Sequence, residues 1–510
     1  MHPSHLRSLG VAIAGAAGLA ACTPDATAPL PLSPDVPALN AGADEIPRSG
    51  RFMILGQAGR LPATLEADVA AAGGRLTSVI PEIGVAFAEP VAAGFPATAS
   101  RIRGVESVVA DVVLQYAAPQ EGRLAQEVSA LGNEGEAAST PAAESGPLAP
   151  SAQAENELFW SFQWAPRAVQ APQAWDAGYT GQGVRIAILD GAIYDAHLDL
   201  TARIDRAASR SFVAGTAWNQ DVGTFWHGTH VAGIAAAGLN GIGTVGIAPN
   251  ATLVGVKVLH NGSGPFEGIL NGIVYAARPV AEGGAGAHVI NMSLGATLNV
   301  RANWHDKEFR DAFRELQKAY DRGTRYAYQQ GVTVIASAGN GATNFDVENG
   351  LFKFPAQNQH VIGVSATGPV GWGLGATDYD RPAYYTDHGK ALVDLAAPGG
   401  TVGLFVVNGN TSACTVKGTL RTITTTCAIF DQVMSTVRGG TTASYNWAQG
   451  TSMAAPLVSG IAALVIEKNG GSAHPAQVRT QLQQSAADLG ESGKDIWYGH
   501  GWVNALRAVQ

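Results

Sequence analysis

The chain has 510 residues, a formal net charge of −9, and hydrophobic residues at 46% of its positions. This length exceeds one ordinary domain, and the apolar content together with 63 glycines argues against disorder along the whole chain. The modest charge and the absence of a dense basic run exclude a typical nucleic-acid-binding surface. We therefore expect a targeting segment, a small accessory domain and one large domain.

The N-terminus has the pattern of an export signal. His5 and Arg7 precede an apolar run, residues 9–21, which is too short for a transmembrane helix of about 20 apolar residues and is typical of a signal peptide. Its end, LAAC at 19–22, resembles the lipobox of bacterial lipoproteins, which implies a lipid on Cys22; the alternative is an ordinary signal peptide with a chance cysteine. Residues 1–22 are thus predicted to be a lipoprotein-type signal peptide, and residues 23–48, rich in Pro and Ala, an extended tether.

Two further segments precede the large domain. Residues 49–117 contain predicted strands at 51–55, 84–88 and 105–114 and a predicted helix at 61–72, which together indicate a small α+β domain. Residues 118–157 consist mainly of Ala, Glu, Pro, Gly and Ser, and they cannot bury enough apolar surface to offset the entropy of ordering. We predict that they form a disordered linker.

Residues 158–510 alternate strand and helix patterns. Strands are predicted at 184–189, 253–258, 288–294, 332–336 and 361–364, and helices after His227, around 269–277 and after Ser452. This alternation predicts an α/β fold in which helices cover both faces of a parallel sheet. Ligand sites in such folds lie beyond the carboxyl ends of the strands.

Ser452 is the candidate nucleophile. It lies in GTSMAAPLVSG, residues 450–460, where it precedes apolar positions at helical spacing. Amide donors at a helix N-terminus suit acyl transfer, but a Ser hydroxyl also needs a base. His227, which opens HGTHVAGIAAAG, and Asp190, which ends VRIAILD, are the candidate base and its orienting carboxylate. Taken singly, each of the three residues could be only a cap or turn residue.

The order Asp190, His227, Ser452 and the motifs HGTHVAG and GTSMAAP resemble those of subtilisin-like serine proteases, the subtilases of peptidase family S8. The resemblance extends from residue 175 to the C-terminus and implies a doubly wound, mostly parallel sheet with helices on both faces. It also implies that Ser452 attacks a peptide carbonyl, that His227 transfers the proton, and that Asp190 holds the imidazole. Asn340, in GVTVIASAGN, matches the residue of the oxyanion hole, although it could simply terminate a strand.

The small domain resembles the inhibitory, I9-type propeptide of subtilases in the stretches RFMILGQ, GGRLTSVIPEIGVAFAEP and GVESVVADVVLQ. This resemblance implies a ferredoxin-like α+β domain that acts as an intramolecular chaperone and inhibitor, with its C-terminal tail in the active site. Cleavage near residues 115–117 would then separate the enzyme from a lipid on Cys22. An unrelated small binding domain is the alternative.

Two segments resemble the edge strands that hold the substrate backbone in subtilases. Their residues are Gly262, Ser263, Gly264, Ser293, Leu294 and Gly295. Glycine permits close approach of a peptide backbone, and main-chain pairing tolerates many sequences, but the first segment could also be a flexible turn. The pocket for the residue before the scissile bond would be lined partly by 293–295 and 337–339, which are small and neutral and indicate apolar or aromatic substrates.

The resemblance also implies a structural calcium site. Its oxygen ligands would come from one carboxylate and the loop AGLNGIGTVG, and they are Asp199, Gly238, Asn240, Ile242 and Thr244. Calcium takes about six to eight oxygens, so the set is incomplete, and an Asn/Gly turn beside a solvated Asp is the alternative. His230 is expected to be a structural helix residue, and no HExxH motif supports zinc.

The chain departs from the subtilase pattern at Gly191, where Ser or Thr is more common, and at Leu457, where His is common. It carries a charged insertion at 301–329, predicted to be helical, and a Thr/Val-rich insertion at 402–442, predicted to be a hairpin. Cys414 and Cys427 lie in the second insertion. With Cys22 assigned to a lipid, they form an even pair in an exported protein, which predicts a disulfide.

Together these features predict an exported, self-processing serine endopeptidase that acts on proteins or peptides as a monomer, without a catalytic cofactor. Only the lipid on Cys22 would contact a membrane. A catalytically silent subtilase scaffold is disfavoured because Asp190, His227, Asn340 and Ser452 are all intact. An α/β-hydrolase-type esterase is disfavoured by the order of the three residues and by the lack of GxSxG.

Overall fold

The computed structural model of the protein describes residues 48–115 and 149–510, apart from residues 224, 349, 440 and 441. The predicted signal peptide with Cys22, nearly all of the tether, and the linker up to residue 148 lie outside the described residues.

The first described segment forms a small α+β domain. Its elements in chain order are β1 (Arg48–Gly56), α1 (Leu65–Ala71), β2 (Gly74–Ile80), β3 (Val85–Pro90), α2 (Phe95–Ala99) and β4 (Val105–Gln115). The four strands pair antiparallel in the order β2–β3–β1–β4, which is the predicted ferredoxin-like arrangement. The predicted helix at 61–72 begins later, at Leu65, because Pro62 restricts the residue before it and lies in a turn whose carbonyl accepts the Leu65 amide.

The two faces of this small sheet have different partners. Alternate strand residues such as Ile54 and Ala86 pack against α1 and α2. The opposite residues, including Met53 and Phe87, join the core of the large domain. The small domain is therefore held on the large one by a continuous apolar face.

The large domain contains ten helices and fourteen strands within its described residues. The helices are α3 (Pro150–Ala154), α4 (Trp164–Ala168), α5 (Ala171–Asp176), α6 (His227–Ala236), α7 (Phe266–Ala277), α8 (Lys307–Gln329), α9 (Gly403–Asn408), α10 (Thr451–Lys468), α11 (Pro475–Ser485) and α12 (Ala505–Ala508). The strands are β5 (Arg185–Asp190), β6 (Arg210–Ser211), β7 (Thr252–Lys257), β8 (Ser263–Pro265), β9 (Val289–Met292), β10 (Ala296–Asn299), β11 (Thr333–Ser337), β12 (Leu351–Phe354), β13 (Val361–Thr367), β14 (Leu395–Pro398), β15 (Ala413–Lys417), β16 (Thr422–Thr426), β17 (Val433–Gly439) and β18 (Thr442–Ala448).

Seven of these strands form the central sheet, in the order β14–β13–β11–β9–β5–β7–β6, and all neighbouring pairs are parallel. Ile186 and Ile188 of β5 face a core formed with α6 and α10, whereas Ala187 and Leu189 face a core formed with α7 and α8. Helices therefore cover both faces, as in a doubly wound α/β fold, which confirms the predicted fold class. Helix α10 is apolar enough to span a membrane, with a mean hydropathy of 1.2, but 89% of it is buried, as expected of a core helix.

The predicted linker differs from the structure at its C-terminal end. Residues 150–154 form α3, and Ala154 is fully buried. Ser151 donates its hydroxyl to Asp176 at 2.6 Å, and Glu157 is only 2% exposed. Residues 149–157 are thus part of the large domain, because specific polar contacts and one buried alanine offset the low apolar content that suggested disorder.

The charged insertion has the predicted helix, whereas the Thr/Val-rich insertion is a hairpin only in part, because it also contains α9 and β17. The charged insertion contains α8, which packs against α7 and against β4 of the small domain. The Thr/Val-rich insertion contains the hairpin of β15 and β16, and its Cys414 and Cys427 form the predicted disulfide.

Candidate active site

Three elements bring Asp190, His227 and Ser452 to the carboxyl edge of the central sheet. Asp190 is the last residue of β5, His227 is the first residue of α6, and Ser452 lies in the first turn of α10. Gly450 precedes α10 with a φ of 151°, a backbone conformation that favours glycine and lets the chain turn sharply into the helix.

The imidazole of His227 is paired with the carboxylate of Asp190. Nδ1 of His227 lies 2.9 Å from both Oδ1 and Oδ2 of Asp190, and the carboxylate is 1% exposed. Because a carboxylate only accepts, Nδ1 carries the proton and Nε2 of the neutral ring offers a lone pair. Nε2 is buried and has no hydrogen-bond partner among the described residues, so it is available to accept a proton.

The hydroxyl of Ser452 is turned toward Ser293. Ser452 Oγ donates to the Ser293 carbonyl at 3.3 Å, and Ser293 Oγ donates to the Ser452 carbonyl at 2.8 Å. Within the described residues Ser452 therefore makes no hydrogen bond to His227. Such catalytic hydrogen bonds are often long or absent without substrate and form when it binds.

Asn340 lies next to the start of α10. Its Oδ1 accepts hydrogen bonds from the amide and the hydroxyl of Thr451, each at 2.9 Å. The Thr451 hydroxyl also accepts the amide of Gly339 at 3.0 Å. These contacts fix the side-chain amide so that its Nδ2 donor is left for another acceptor near Ser452.

A buried ion pair next to Asp190 was not predicted. Lys257 ends β7 directly opposite Asp190 and is 0% exposed, and its Nζ lies 3.4 Å from Asp221 and donates to the Leu259 carbonyl at 2.8 Å. Burial lowers the pKa of Lys257, which Asp221 partly counters. Asp221 also accepts the amide of Ala192 at 3.2 Å, so the pair braces the segment after Asp190. The only sequence feature that could have indicated this ion pair is a Lys within the apolar run LVGVKVL.

Gly191 is explained by the same pair. A Cβ at this position would lie 2.4 Å from an oxygen of Asp221, closer than real Cβ contacts. A side chain at position 191 would therefore require the Asp221 carboxylate to move.

His230 is a structural residue of α6. It is fully buried, and its Nε2 lies 3.1 Å from the Asn446 carbonyl. Burial lowers the pKa of His230 to about 3, which keeps the ring neutral.

The two predicted substrate segments lie at different places around this site. Ser263 and Gly264 belong to β8, which pairs antiparallel with the end of β4, with Leu114 opposite Gly264. Gly262 precedes this strand. The second segment follows β9, and its Ser293 contacts Ser452 directly. A strand of the small domain therefore occupies the first segment.

The predicted calcium ligands come together around a buried carboxylate. Asp199 is 1% exposed, its Oδ2 accepts the amide of Thr244 at 2.8 Å, and Asn240 Nδ2 lies 3.5 Å from its Oδ1. Burial raises the pKa of Asp199 to about 7. Gly238 and Ile242 lie in the same loop. A calcium ion bound here would take the oxygens of this carboxylate in place of the N–H and O–H donors of Thr244 and Asn240 that contact them in the structure.

The same loop has a partner that sequence reasoning missed. The carboxylate of Glu157 accepts four consecutive backbone amides, those of residues 240, 241, 242 and 243, at 2.6–2.8 Å. Glu157 anchors the start of the large domain on this loop. No local pattern marked it, because its partners are backbone groups more than 80 residues away.

Comparison with known proteins agrees with this geometry. The Subtilase family matches residues 181–501. Alkaline elastase YaB of Bacillus sp. (strain YaB) is 34% identical over 359 residues, which is 70% of this chain and 72% of that protein. Subtilisin Savinase of Lederbergia lenta is 35% identical over 352 residues, 69% of this chain and 99% of that protein. The crystal structure of the epidermin leader peptide processing serine protease EpiP of Staphylococcus aureus has the same fold, with a TM-score of 0.66 at 20% identity over 90% of this chain and 97% of that one. With the family matched across most of the large domain, the chain belongs to the subtilase family and is a serine-type endopeptidase.

Proposed function

We propose that the protein is an exported, self-processing endopeptidase whose catalytic triad is Asp190, His227 and Ser452. The observation that carries this proposal is the 2.9 Å contact between His227 and the buried Asp190. Nε2 of the imidazole has no hydrogen-bond partner among the described residues, and it lies at the sheet edge where Ser452 stands in the first turn of α10.

In the proposed reaction, Ser452 Oγ attacks the scissile carbonyl carbon while Nε2 of His227 takes the hydroxyl proton. Asp190 stabilises the imidazolium that forms. The negative charge on the former carbonyl oxygen is met by Nδ2 of Asn340 and the amide of Ser452. His227 then protonates the leaving amine, and water repeats the sequence on the acyl-enzyme to release the acid. No catalytic cofactor is needed in this family.

Self-processing is supported by the pairing of β4 with β8. Gln115, at the end of β4, pairs with Ser263, so the small domain lies along the segment where a substrate backbone is expected. We infer that residues 49–117 are the inhibitory propeptide and that the chain is cut shortly after Gln115. The cut product would remain bound through β4 and act as an inhibitor.

Intact mass over time tests this proposal. The chain from residue 23 onward is purified as wild type, as Ser452→Ala, and as Ser472→Ala, which changes an exposed serine. We expect the wild type and Ser472→Ala to split between residues 115 and 149, while Ser452→Ala stays whole. Splitting of Ser452→Ala by itself would contradict the role of Ser452, and an intact, folded wild type would favour a silent scaffold.

Export and a lipid on Cys22 are part of the same proposal. Its support is the N-terminal pattern and the bacterial origin of the subtilisin relatives. Metabolic labelling with a fatty acid in a bacterial host should mark the wild-type precursor and not Cys22→Ser. Equal labelling of both would exclude lipidation at this residue.

We further propose that Asp199, Asn240 and the carbonyls of Gly238, Ile242 and Thr244 hold a structural calcium ion. The support is the buried carboxylate of Asp199 and the position of Asn240 and Thr244 beside it. When bound, calcium would stabilise the loop and take no part in the reaction. Thermal unfolding of Ser452→Ala should shift upward with calcium and not with magnesium, and Asp199→Asn should remove the shift.

A further inference from the structure

A lysine and an aspartate form an ion pair directly behind two glycines close to the nucleophile. Lys353 Nζ lies 3.3 Å from Oδ2 of Asp387 and 3.0 Å from the hydroxyl of Thr297, and the side chains of the ion pair are only 7% and 3% exposed. The other oxygen of Asp387 accepts the amides of Gly341 at 2.8 Å and Thr343 at 3.0 Å. Each charge is therefore held by several partners, which is what a buried ion pair requires.

The pair lies at the cleft between two segments that flank Ser452. Residues 293–295 and 337–339 follow or end the neighbouring parallel strands β9 and β11. On one side the Ser293 carbonyl accepts the Ser452 hydroxyl, and on the other the Gly339 amide donates to the hydroxyl of Thr451. In the proposed reaction, we expect the side chain of a residue acylated onto Ser452 to enter between these two segments, because they flank the nucleophile on both sides.

The ion pair fills the space that a large side chain would need in this cleft. A Cβ on Gly295 would lie 3.1 Å from Cε of Lys353. A Cβ on Gly339 would lie 2.2 Å from Nζ of Lys353 and 2.1 Å from Oδ2 of Asp387. Gly295 thus lies beside Lys353, and Gly339 lies beside both side chains of the pair.

We propose that the Lys353–Asp387 pair closes this pocket and restricts the enzyme to substrates with alanine, glycine or serine before the scissile bond. The proposal rests on the proposed catalytic function of Ser452. It differs from the sequence-based expectation of apolar or aromatic residues, which considered only the small residues lining the walls. A long or aromatic side chain would have to separate Lys353 from Asp387 and leave both charges buried. Because the charges of Lys353 and Asp387 neutralise each other, an acidic or basic substrate side chain finds no unpaired opposite charge in the pocket.

Tetrapeptide p-nitroanilides that differ only in the last residue test the proposal on the full chain after maturation. For the wild type we expect kcat/KM for Ala to exceed that for Phe, Glu and Lys by about tenfold or more, the range that pocket size commonly supplies. The double variant Lys353→Ala/Asp387→Ser removes both charges together and keeps a hydroxyl near the amides of Gly341 and Thr343. It should raise the ratio of kcat/KM for Phe to kcat/KM for Ala by about tenfold or more relative to the wild type. Lys390→Ala, a lysine with a side chain 53% exposed, is the control and should behave as wild type.

A wild type that prefers Phe, Glu or Lys to Ala would overturn the proposal, as would an unchanged Phe-to-Ala ratio in the double variant. If the double variant does not mature, the kcat/KM ratios of the wild type for Ala against Phe, Glu and Lys decide whether the proposal holds. Labelling of Ser452 by a fluorophosphonate is measured on the same samples. Absence of labelling would overturn the proposed function and this inference with it, whereas labelling with a preference for Phe would overturn only this inference.

Discussion

Asn340 is held through its side-chain oxygen, which leaves the nitrogen to donate. In subtilisin, removing the matching donor costs about 10²–10³ in turnover, and we expect Asn340→Ala to lower kcat by the same order with KM little changed. The physical reason is that, in the proposed mechanism, the donor meets a charge that exists only in the transition state. Steady-state kinetics on an alanine tetrapeptide substrate measures both constants.

The control for this experiment is Asn250→Ala, which removes an exposed asparagine outside the site. A rise in KM with unchanged kcat would contradict the role of Asn340, because it would indicate a ground-state contact.

His230 gives the stability of the protein a defined pH dependence. Its pKa is about 3 in the folded chain and about 6.5 when unfolded, so the unfolded state binds a proton first as the pH falls. The stabilisation is present above about pH 6.5 and is lost as the pH falls toward 3. At about 1.4 kcal/mol per pKa unit, His230 alone accounts for about 3 kcal/mol of the loss between pH 7 and pH 4.

Urea unfolding of Ser452→Ala, with and without His230→Gln, checks this prediction at pH 7 and pH 4. Between pH 7 and pH 4, the protein with His230→Gln should lose about 3 kcal/mol less unfolding free energy than the protein with His230. His305→Gln, at an exposed histidine, should leave the loss unchanged. An equal loss with and without His230→Gln would show that His230 does not titrate as described.

At the residue scale, the location of a side chain could be predicted where a motif ties a residue type to a position. Asp190, His227 and Ser452 were found from short patterns and reach one sheet edge in the structure. Lys353 and Lys257 were not found, because a buried lysine is identified only by its partners, which lie 34 and 36 residues away in sequence as Asp387 and Asp221.

Among the elements, the segment before α4 depends on Glu157 for its attachment. Glu157→Ala removes the acceptor of four backbone amides in the loop at 240–243, and each lost hydrogen bond to a charged group is worth about 1.5–3 kcal/mol in isolation. Because water can reach part of the opened loop, we expect a net loss of about 3–5 kcal/mol in unfolding free energy, measured on Ser452→Ala by urea titration.

Glu491→Gln serves as the comparison, since the Glu491 side chain is 83% exposed and should cost less than about 0.5 kcal/mol. If Glu157→Ala is as stable as Glu491→Gln, the four amides are hydrogen-bonded by water as favourably as by the Glu157 carboxylate, and the predicted loss is wrong.

Element boundaries show what local patterns miss. The helix at 61–72 was predicted from apolar spacing, but Pro62 delays its start to Leu65. Strand β2 and helix α2 were not predicted. In β2 the pairing register shifts between Leu76 and Ser78, which interrupts the alternation of side chains, and α2 has only five residues. Residues 149–157 appeared disordered from composition alone, since their order depends on contacts with Asp176 and the loop at 240–243.

Over the whole molecule, charged contacts surround the apolar interface between the small and large domains. Glu106 of the small domain meets Lys318 and Arg322 of α8, each at 2.8 Å, and Arg51 contacts Glu267. Salt screens exposed pairs and leaves the apolar face intact. Under the proposed maturation, raising NaCl from about 0.05 to about 0.5 M should therefore speed release of the cleaved small domain by about threefold to tenfold, as expected for a few pairs of about 0.2–1 kcal/mol each.

The half-time for appearance of proteolytic activity after cleavage measures this release. Lys318→Ala/Arg322→Ala should release faster at low salt and respond less to added salt. Slower release at high salt would indicate that apolar contact, which salt strengthens, dominates the interface.

The pairing of β4 with β8 limits which changes in the substrate groove an active enzyme can carry. The groove and the strand that lies in it are parts of one polypeptide, so a substitution that reshapes the groove acts first on the protein's own strand. Under the proposed maturation, a variant that no longer accepts residues near Gln115 never becomes active on any foreign protein. Only those changes in substrate preference that still allow cleavage of the protein's own strand can therefore produce an active enzyme. A laboratory library that varies the groove will recover more active members if the positions after Val113 are varied at the same time.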